Sequence, residues 1–82
     1  MSDLFLVYLE APQTPLDPDE FAEARRLTER LFLIRSSETR SRVYHAVKHA
    51  TRPDALLVTR CDGDPKFKGM EAGALKWLRA LD

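Results

Sequence analysis

The segment RSSETRSR, residues 35–42, combines the side chains of this chain that are best suited to binding a phosphate group. Guanidinium groups form paired, charge-assisted hydrogen bonds with phosphate oxygens, and hydroxyl groups can donate to the same oxygens. Ser36 and Ser37 stand where a helix is expected to begin, and a helix N-terminus attracts anions through its free N–H groups and its dipole. The segment therefore predicts a phosphate contact made by Arg35, Ser36, Ser37 and Arg40.

The same segment has a simpler interpretation, in which Ser36 or Ser37 only caps the helix and Glu38 completes its first turn. A serine cap is common and stabilises a helix by about 1 kcal/mol. No glycine-rich loop precedes the helix, so the sequence has neither a phosphate-binding loop nor a dinucleotide fingerprint. Capping and anion binding both remain open on the sequence alone.

The helix after the serine pair, expected to end near Ala50, is basic on its polar side. Arg42, His45 and His49 lie at i, i+3 and i+7, and Lys48 and Arg52 flank them. Bases gathered on one helical face are the electrostatic footprint of nucleic-acid-binding proteins, although a merely hydrated face has the same composition. The two histidines are four residues apart, but no third ligand stands at a suitable spacing, so we predict no metal site.

A second basic segment, Lys66-Phe67-Lys68, lies in a loop rich in turn-forming residues. Two lysines around an aromatic ring suit the backbone and a base of single-stranded nucleic acid. Alternatively, Phe67 anchors the loop in the core while both lysines remain in water. The complete set of expected phosphate or nucleic-acid contacts is Arg35, Ser36, Ser37, Arg40, Arg42, Lys48, Lys66 and Lys68.

Three apolar runs are expected to form the sheet that positions these side chains. They are residues 4–9, 31–34 and 55–58, and each is continuous rather than alternating. Strands covered on both faces have this pattern, and a segment that can form a helix follows each run. The sequence predicts a single α/β domain over residues 1–82, with a small three-stranded, mostly parallel sheet and the order β-α-β-α-β-α.

The helices of this arrangement are expected over residues 18–29, after the serine pair, and over residues 71–81. The first has Asp17 as its cap, followed by a proline at its first position. The alternative fold is a ferredoxin-like α+β sandwich. That fold needs a hairpin between the second and third apolar runs, or a fourth strand within residues 64–70.

Ligands bind at the carboxyl ends of the strands in open parallel sheets. Here those ends carry Glu10, residues 35–37 and residues 59–62, and the predicted strand directions bring all three together.

Enzyme interpretations have little support in the sequence. Cys61 beside Arg60 suggests an activated thiol, and Asp62 with Glu10 and Asp64 suggests a magnesium site. Neither group includes the base and orienting residue that catalysis needs. We assign no catalytic residue and no cofactor, and a binding protein is favoured over an enzyme.

The net charge of zero conceals an uneven distribution. Residues 1–24 contain six acidic and no basic residues, whereas residues 25–52 contain eight basic and two acidic residues. The lone cysteine predicts a reducing, cytoplasmic setting, and no apolar run approaches the roughly 20 residues that cross a bilayer.

We therefore expect a small binding module that contacts a phosphate-bearing partner, with nucleic acid favoured, through the basic helix and its N-terminus. The alternative is a protein-interaction module or homodimer, in which the acidic first third docks against the basic middle segment of another copy.

Overall fold

The computed structural model describes residues 2–21, 23–63 and 65–80. Four strands form one antiparallel sheet: β1 (Asp3–Glu10), β2 (Glu23–Arg26), β3 (Leu31–Ser36) and β4 (Ala55–Cys61). The spatial order of the strands is β2-β3-β1-β4. Helix α1 (Arg40–Thr51) connects β3 to β4, helix α2 (Ala74–Arg79) follows β4, and a short 3₁₀ helix (Pro18–Glu20) precedes β2.

Both faces of the central strand β1 carry apolar side chains, and each face packs in a different cluster. Phe5, Val7 and Leu9 are buried on one face against Val43 and Val47 of α1. On the opposite face a second core cluster is centred on four buried residues, with Leu4 and Leu6 packed against it. Its buried members are Leu27, Leu33, Ala74 and Leu78.

The prediction of a three-stranded, mostly parallel sheet is wrong. β1 runs antiparallel to both of its neighbours, β3 and β4. The three apolar runs do lie in strands, but their continuity arises because helices and loops cover much of both faces of an antiparallel sheet. Since that covering removes the usual alternation of apolar and polar residues, the pattern did not distinguish the two sheet types.

The predicted helix over residues 18–29 is also wrong. Asp17 does act as a cap, its Oδ1 accepting from the Asp19 N–H at 2.9 Å, but only the three-residue 3₁₀ helix follows. The chain then forms β2 and turns back at Thr28, whose Oγ1 accepts from the N–H groups of Arg30 and Leu31 at 3.2 Å. Pairing with β3 overrides the helical propensity of the sequence EARR.

The ferredoxin-like alternative agrees with the structure in its sheet but not in all of its helices. The sheet is antiparallel, β2 and β3 form a hairpin, and α1 connects β3 to β4, as in the βαββαβ pattern. The fourth strand is β2, however, and not a strand within residues 64–70. Between β1 and β2 the described residues hold only the 3₁₀ helix, and the last helix, α2, is shorter than the expected range 71–81. Leu81 and Asp64 lie outside the described residues.

Candidate nucleic-acid interface

Two of the three predicted strand ends meet at one edge of the sheet, and the third does not. β3 and β4 are both antiparallel to β1, so they run in the same direction on either side of it. Their carboxyl ends therefore lie beside the start of β1, where Asp3 pairs with Ser36 and Leu4 pairs with Cys61. Glu10 pairs with Ala55 at the opposite end, which separates it from Asp62.

The N-terminus of α1 is capped by Thr39, so the expectation that Ser36 or Ser37 caps it is wrong. The Thr39 Oγ1 accepts from the Arg42 N–H at 3.2 Å. Ser36 instead closes a turn, in which its Oγ accepts from the Glu38 N–H at 3.0 Å, and Ser37 is exposed. The first turn of α1 contains no acidic residue, although acidic side chains are the ones that the positive end of a helix dipole favours.

Arg40, the first residue of α1, lies beside the end of β4. It lines a cleft of about 370 Å³ together with Asp3, Phe5, Thr59, Arg60 and Asp62. Arg60 Nε is 3.4 Å from Asp62 Oδ1, so two arginines and two aspartates balance the charge of this cleft. Such a neutral cleft does not select anions by itself.

The exposed side chains of α1 and its C-cap have a strong excess of positive charge. Residues 39–53 contain no aspartate or glutamate, and four basic side chains in this segment are exposed. We call them the α1 basic surface: Arg40, Arg42, Lys48 and Arg52. Glu38 is 3.7 Å from Arg42, and no other ion pair to this surface occurs among the described residues.

Two acidic residues of the first third of the chain make ion pairs away from α1. Glu10 Oε2 is 3.7 Å from Arg30, and Glu23 Oε2 is 3.7 Å from Arg35. Glu10 and Glu23 are therefore directed at Arg30 of the β2–β3 turn and at Arg35 of β3, rather than at the α1 basic surface. Arg35, one of the predicted phosphate contacts, therefore lies in a mixed-charge environment on β3.

Tyr44 is an aromatic side chain of the basic helix that is not among the eight contacts predicted from the sequence. It is half-buried and lines a groove with Arg40 and Val58. The Lys48 Nζ lies 5.9 Å from the Tyr44 ring centroid, and the His45 ring meets Tyr44 edge-on at 5.2 Å. The spacing of Tyr44 and Lys48 by one helical turn could have identified this pair in the sequence.

Lys66 and Lys68 belong to a different part of the molecule. Both are exposed, whereas Phe67 is partly buried against the second core cluster with residues of α2. Lys68 lines an open cleft of about 630 Å³ formed by residues 67–73 and α2. The structure thus divides the eight predicted contacts among α1, the end of β3 and this loop.

The features considered for catalysis do not form a reactive site. Cys61 packs against the second core cluster, and its partial burial raises the pKa of its thiol, with a further increase from the Asp62 carboxylate. A thiol with a raised pKa is a poorer nucleophile at neutral pH. Within residues 2–21, 23–63 and 65–80, no three His, Cys, Asp or Glu side chains are grouped closely enough to hold a metal.

The hydroxyl group of Tyr8 donates a hydrogen bond to the carboxylate of Glu10, which is also close to Arg30. This hydrogen bond raises the pKa of Tyr8, and desolvation adds to the increase.

None of the described helices is long and apolar enough to cross a membrane.

Comparison with protein-family models, with curated proteins and with solved structures gives no match for this chain.

Proposed function

We propose that this protein is a small nucleic-acid-binding module that contacts the phosphate backbone through the α1 basic surface. The observation that carries the proposal is that α1 contains no acidic residue and that its Arg and Lys side chains are exposed. The acids Glu10 and Glu23 do not compensate these charges, because they pair with Arg30 and Arg35. Phosphate contacts of this kind give binding that is independent of sequence and sensitive to salt.

Arg40, Arg42 and Lys48 are the phosphate contacts in this proposal. Arg42 is weakly compensated, because its exposed pair with Glu38 is long and such pairs contribute little. Arg40 stands at the helix N-terminus, where the N–H groups of the first turn also favour a phosphate, while Asp3 and Asp62 in the neighbouring cleft reduce this attraction. Arg52 extends the surface beyond the last turn of α1.

The Tyr44 and His45 rings supply an aromatic element beside these bases. Aromatic rings next to Lys or Arg side chains provide stacking for the bases of single-stranded nucleic acid. Because Tyr44 is only half-buried, part of its ring is available, and Lys48 adjoins it. A single strand is therefore expected to bind at least as tightly as a duplex.

The other predicted residues are secondary contacts in this proposal, because none of them lies on α1. They are Arg35, Ser36, Ser37, Lys66 and Lys68. The single cysteine supports a reducing compartment such as the cytoplasm as the setting.

The proposal is tested by removing charge at two separate places. The variant Arg40→Ala with Lys48→Ala is compared with Lys66→Ala with Lys68→Ala, using fluorescence polarisation with a labelled single-stranded oligonucleotide. Both variants lose two charges at exposed positions. We expect the α1 variant to bind about tenfold more weakly or worse, and the loop variant to change by about threefold or less. Equal losses would show that only net charge matters.

A further inference from the structure

β4 is an open edge of the sheet. β1 pairs with it along one side, and no described strand pairs along the other. Its pairing with β1 is continuous from Ala55 to Cys61, so no bulge bends the edge away. The seven residues of β4 include no proline, glycine or lysine, and Arg60 is their single charge. Proteins usually protect an exposed edge with such features, because its free N–H and C=O groups attract another strand.

The opposite edge, β2, is protected in the usual way. It is four residues long, and three of the four are charged: Glu23, Arg25 and Arg26. The contrast between the two edges makes β4, rather than β2, the edge suited to pairing with another strand.

Leu57, the third residue of β4, is a large apolar side chain that this edge strand leaves exposed. Its side chain is 55% exposed, and it pairs with the half-buried Tyr8 of β1. No residue of β4 is fully buried, although the sequence ALLV at residues 55–58 has the composition of a strand covered on both sides. A partner along this edge would cover Leu57.

We propose that the partner is a second copy of this chain, which adds its own β4 antiparallel to this one about a two-fold axis at Leu57. The two sheets then form one continuous sheet of eight strands, twice the four of a single chain. Leu57 faces its own copy across the axis. Residues equally distant from Leu57 in the two directions lie opposite one another.

The charges flanking β4 select this axis. With the axis at Leu57, Arg60 lies opposite Asp54 of the partner subunit, the residue directly before β4. Opposite charges on facing residues stabilise a strand pair, and like charges destabilise it. This facing pair, which occurs twice about the two-fold axis, is therefore favourable.

The two neighbouring axes are both less favourable. Moving the axis to Leu56 places Asp54 opposite Val58 of the partner subunit, so Arg60 loses its acidic partner. Moving it to Val58 places Asp62 opposite Asp54 of the partner subunit. The charge pattern and the exposed Leu57 therefore indicate the same register.

Sedimentation equilibrium over a wide range of protein concentration tests the association. We expect a reversible dimer. The variant Leu57→Lys should weaken this dimer about tenfold or more, because it places two like charges at the two-fold axis. Leu75→Lys is the matched control, because Leu75 is the other large hydrophobic residue that the described part of the chain exposes, at 41%, and it lies on α2. A monomer up to about 1 mM, or equal effects of the two variants, would overturn the proposal.

A charge exchange tests the register. Asp54→Arg and Arg60→Asp should each weaken the dimer severalfold, and the double variant should restore it. The two positions are six residues apart along the chain, which is about 20 Å in a strand, so restoration requires contact between chains. If the losses of dimer affinity in the two single variants simply add in the double variant, the result contradicts this register.

Disulfide formation tests the axis itself. In a Cys61→Ser background, Leu57→Cys should form a disulfide-linked dimer under mild oxidation, since facing residues of paired strands lie within bonding range. Thr59→Cys is the control, because it is exposed on the same face but lies about 13 Å from its own copy when the axis is at Leu57. Equal cross-linking of both variants would overturn the proposal.

Discussion

The guanidinium group of Arg25 lies directly over Gly73. Arg25 Nη2 donates to the carbonyl oxygen of Ala72 at 2.8 Å, and a β-carbon added at Gly73 would be 2.9 Å from that nitrogen. Gly73 has a φ of +84° and immediately precedes α2. This contact joins β2 to the start of α2, so it positions the helix that covers the second core cluster.

We expect Gly73→Ala to lower the free energy of unfolding by about 2–3 kcal/mol. About 1–2 kcal/mol comes from the left-handed backbone and about 1 kcal/mol from the displaced Arg25 hydrogen bond. Gly69→Ala is the matched control, because Gly69 has a φ of +76° but nothing within 4 Å of an added β-carbon. Urea unfolding followed by the fluorescence of Trp77, the single tryptophan, measures both variants. Equal losses would show that the Arg25 contact contributes nothing.

Arg52 combines a strained backbone with a basic side chain. Its φ is +46° at the end of α1, where its N–H donates to the Lys48 carbonyl at 2.9 Å. Glycine accepts this conformation without steric cost, so Arg52→Gly should raise the free energy of unfolding by about 0.5–1 kcal/mol. The same variant removes a base from the α1 basic surface, so nucleic-acid affinity should fall.

The control for this prediction is Ala11→Gly, because Ala11 also has a positive φ, of +47°, but carries no charge. We expect a similar gain in stability, measured by urea unfolding, with unchanged nucleic-acid affinity. An unchanged affinity in Arg52→Gly would remove Arg52 from the proposed interface.

The thiol of Cys61 should react more slowly than an exposed thiol. Because burial and Asp62 raise its pKa in the folded state, less thiolate is present at a given pH than in the unfolded chain. The rate of alkylation by iodoacetamide should therefore reach its midpoint at a higher pH in the folded protein than in urea. Asp62→Asn should move that midpoint part of the way back. A folded midpoint at or below the unfolded one would contradict the raised pKa.

The same shift makes stability depend on pH in a defined direction. The folded state disfavours the thiolate, so the contribution of Cys61 is complete below the pKa of the unfolded thiol and is lost as the pH rises through the folded pKa. Cys61→Ser should remove this alkaline decrease in the free energy of unfolding, measured by urea titration between about pH 7 and pH 10.

Part of the fold could be predicted from the sequence, because hydrophobic runs and helix periodicity are local signals. The runs at residues 4–9, 31–34 and 55–58 fall in β1, β3 and β4, and the basic helix lies close to its expected position. Strand direction is not a local signal. β2 could not be found, because Glu, Ala and Arg favour a helix and only pairing with β3 makes this segment a strand.

The basic composition of the candidate interface could be predicted from the sequence. The partners of the nearby acidic residues and the residue that caps α1 could not. The bases of α1 and their helical spacing are visible in the sequence, as is the acidic first third. The sequence does not show that Glu10 and Glu23 turn toward Arg30 and Arg35. Nor does it show that Thr39, not the serine pair, caps α1, because a cap depends on where the strand before it ends.

The affinity of the unaltered protein for a labelled single-stranded oligonucleotide, measured by fluorescence polarisation across a series of salt concentrations, tests the central claim most directly. If Arg40, Arg42, Lys48 and Arg52 contact phosphates, the logarithm of the binding constant should fall linearly with the logarithm of salt concentration, with a slope of about −2 to −3. No change in polarisation with single-stranded or duplex oligonucleotide, even at low salt, would contradict the claim.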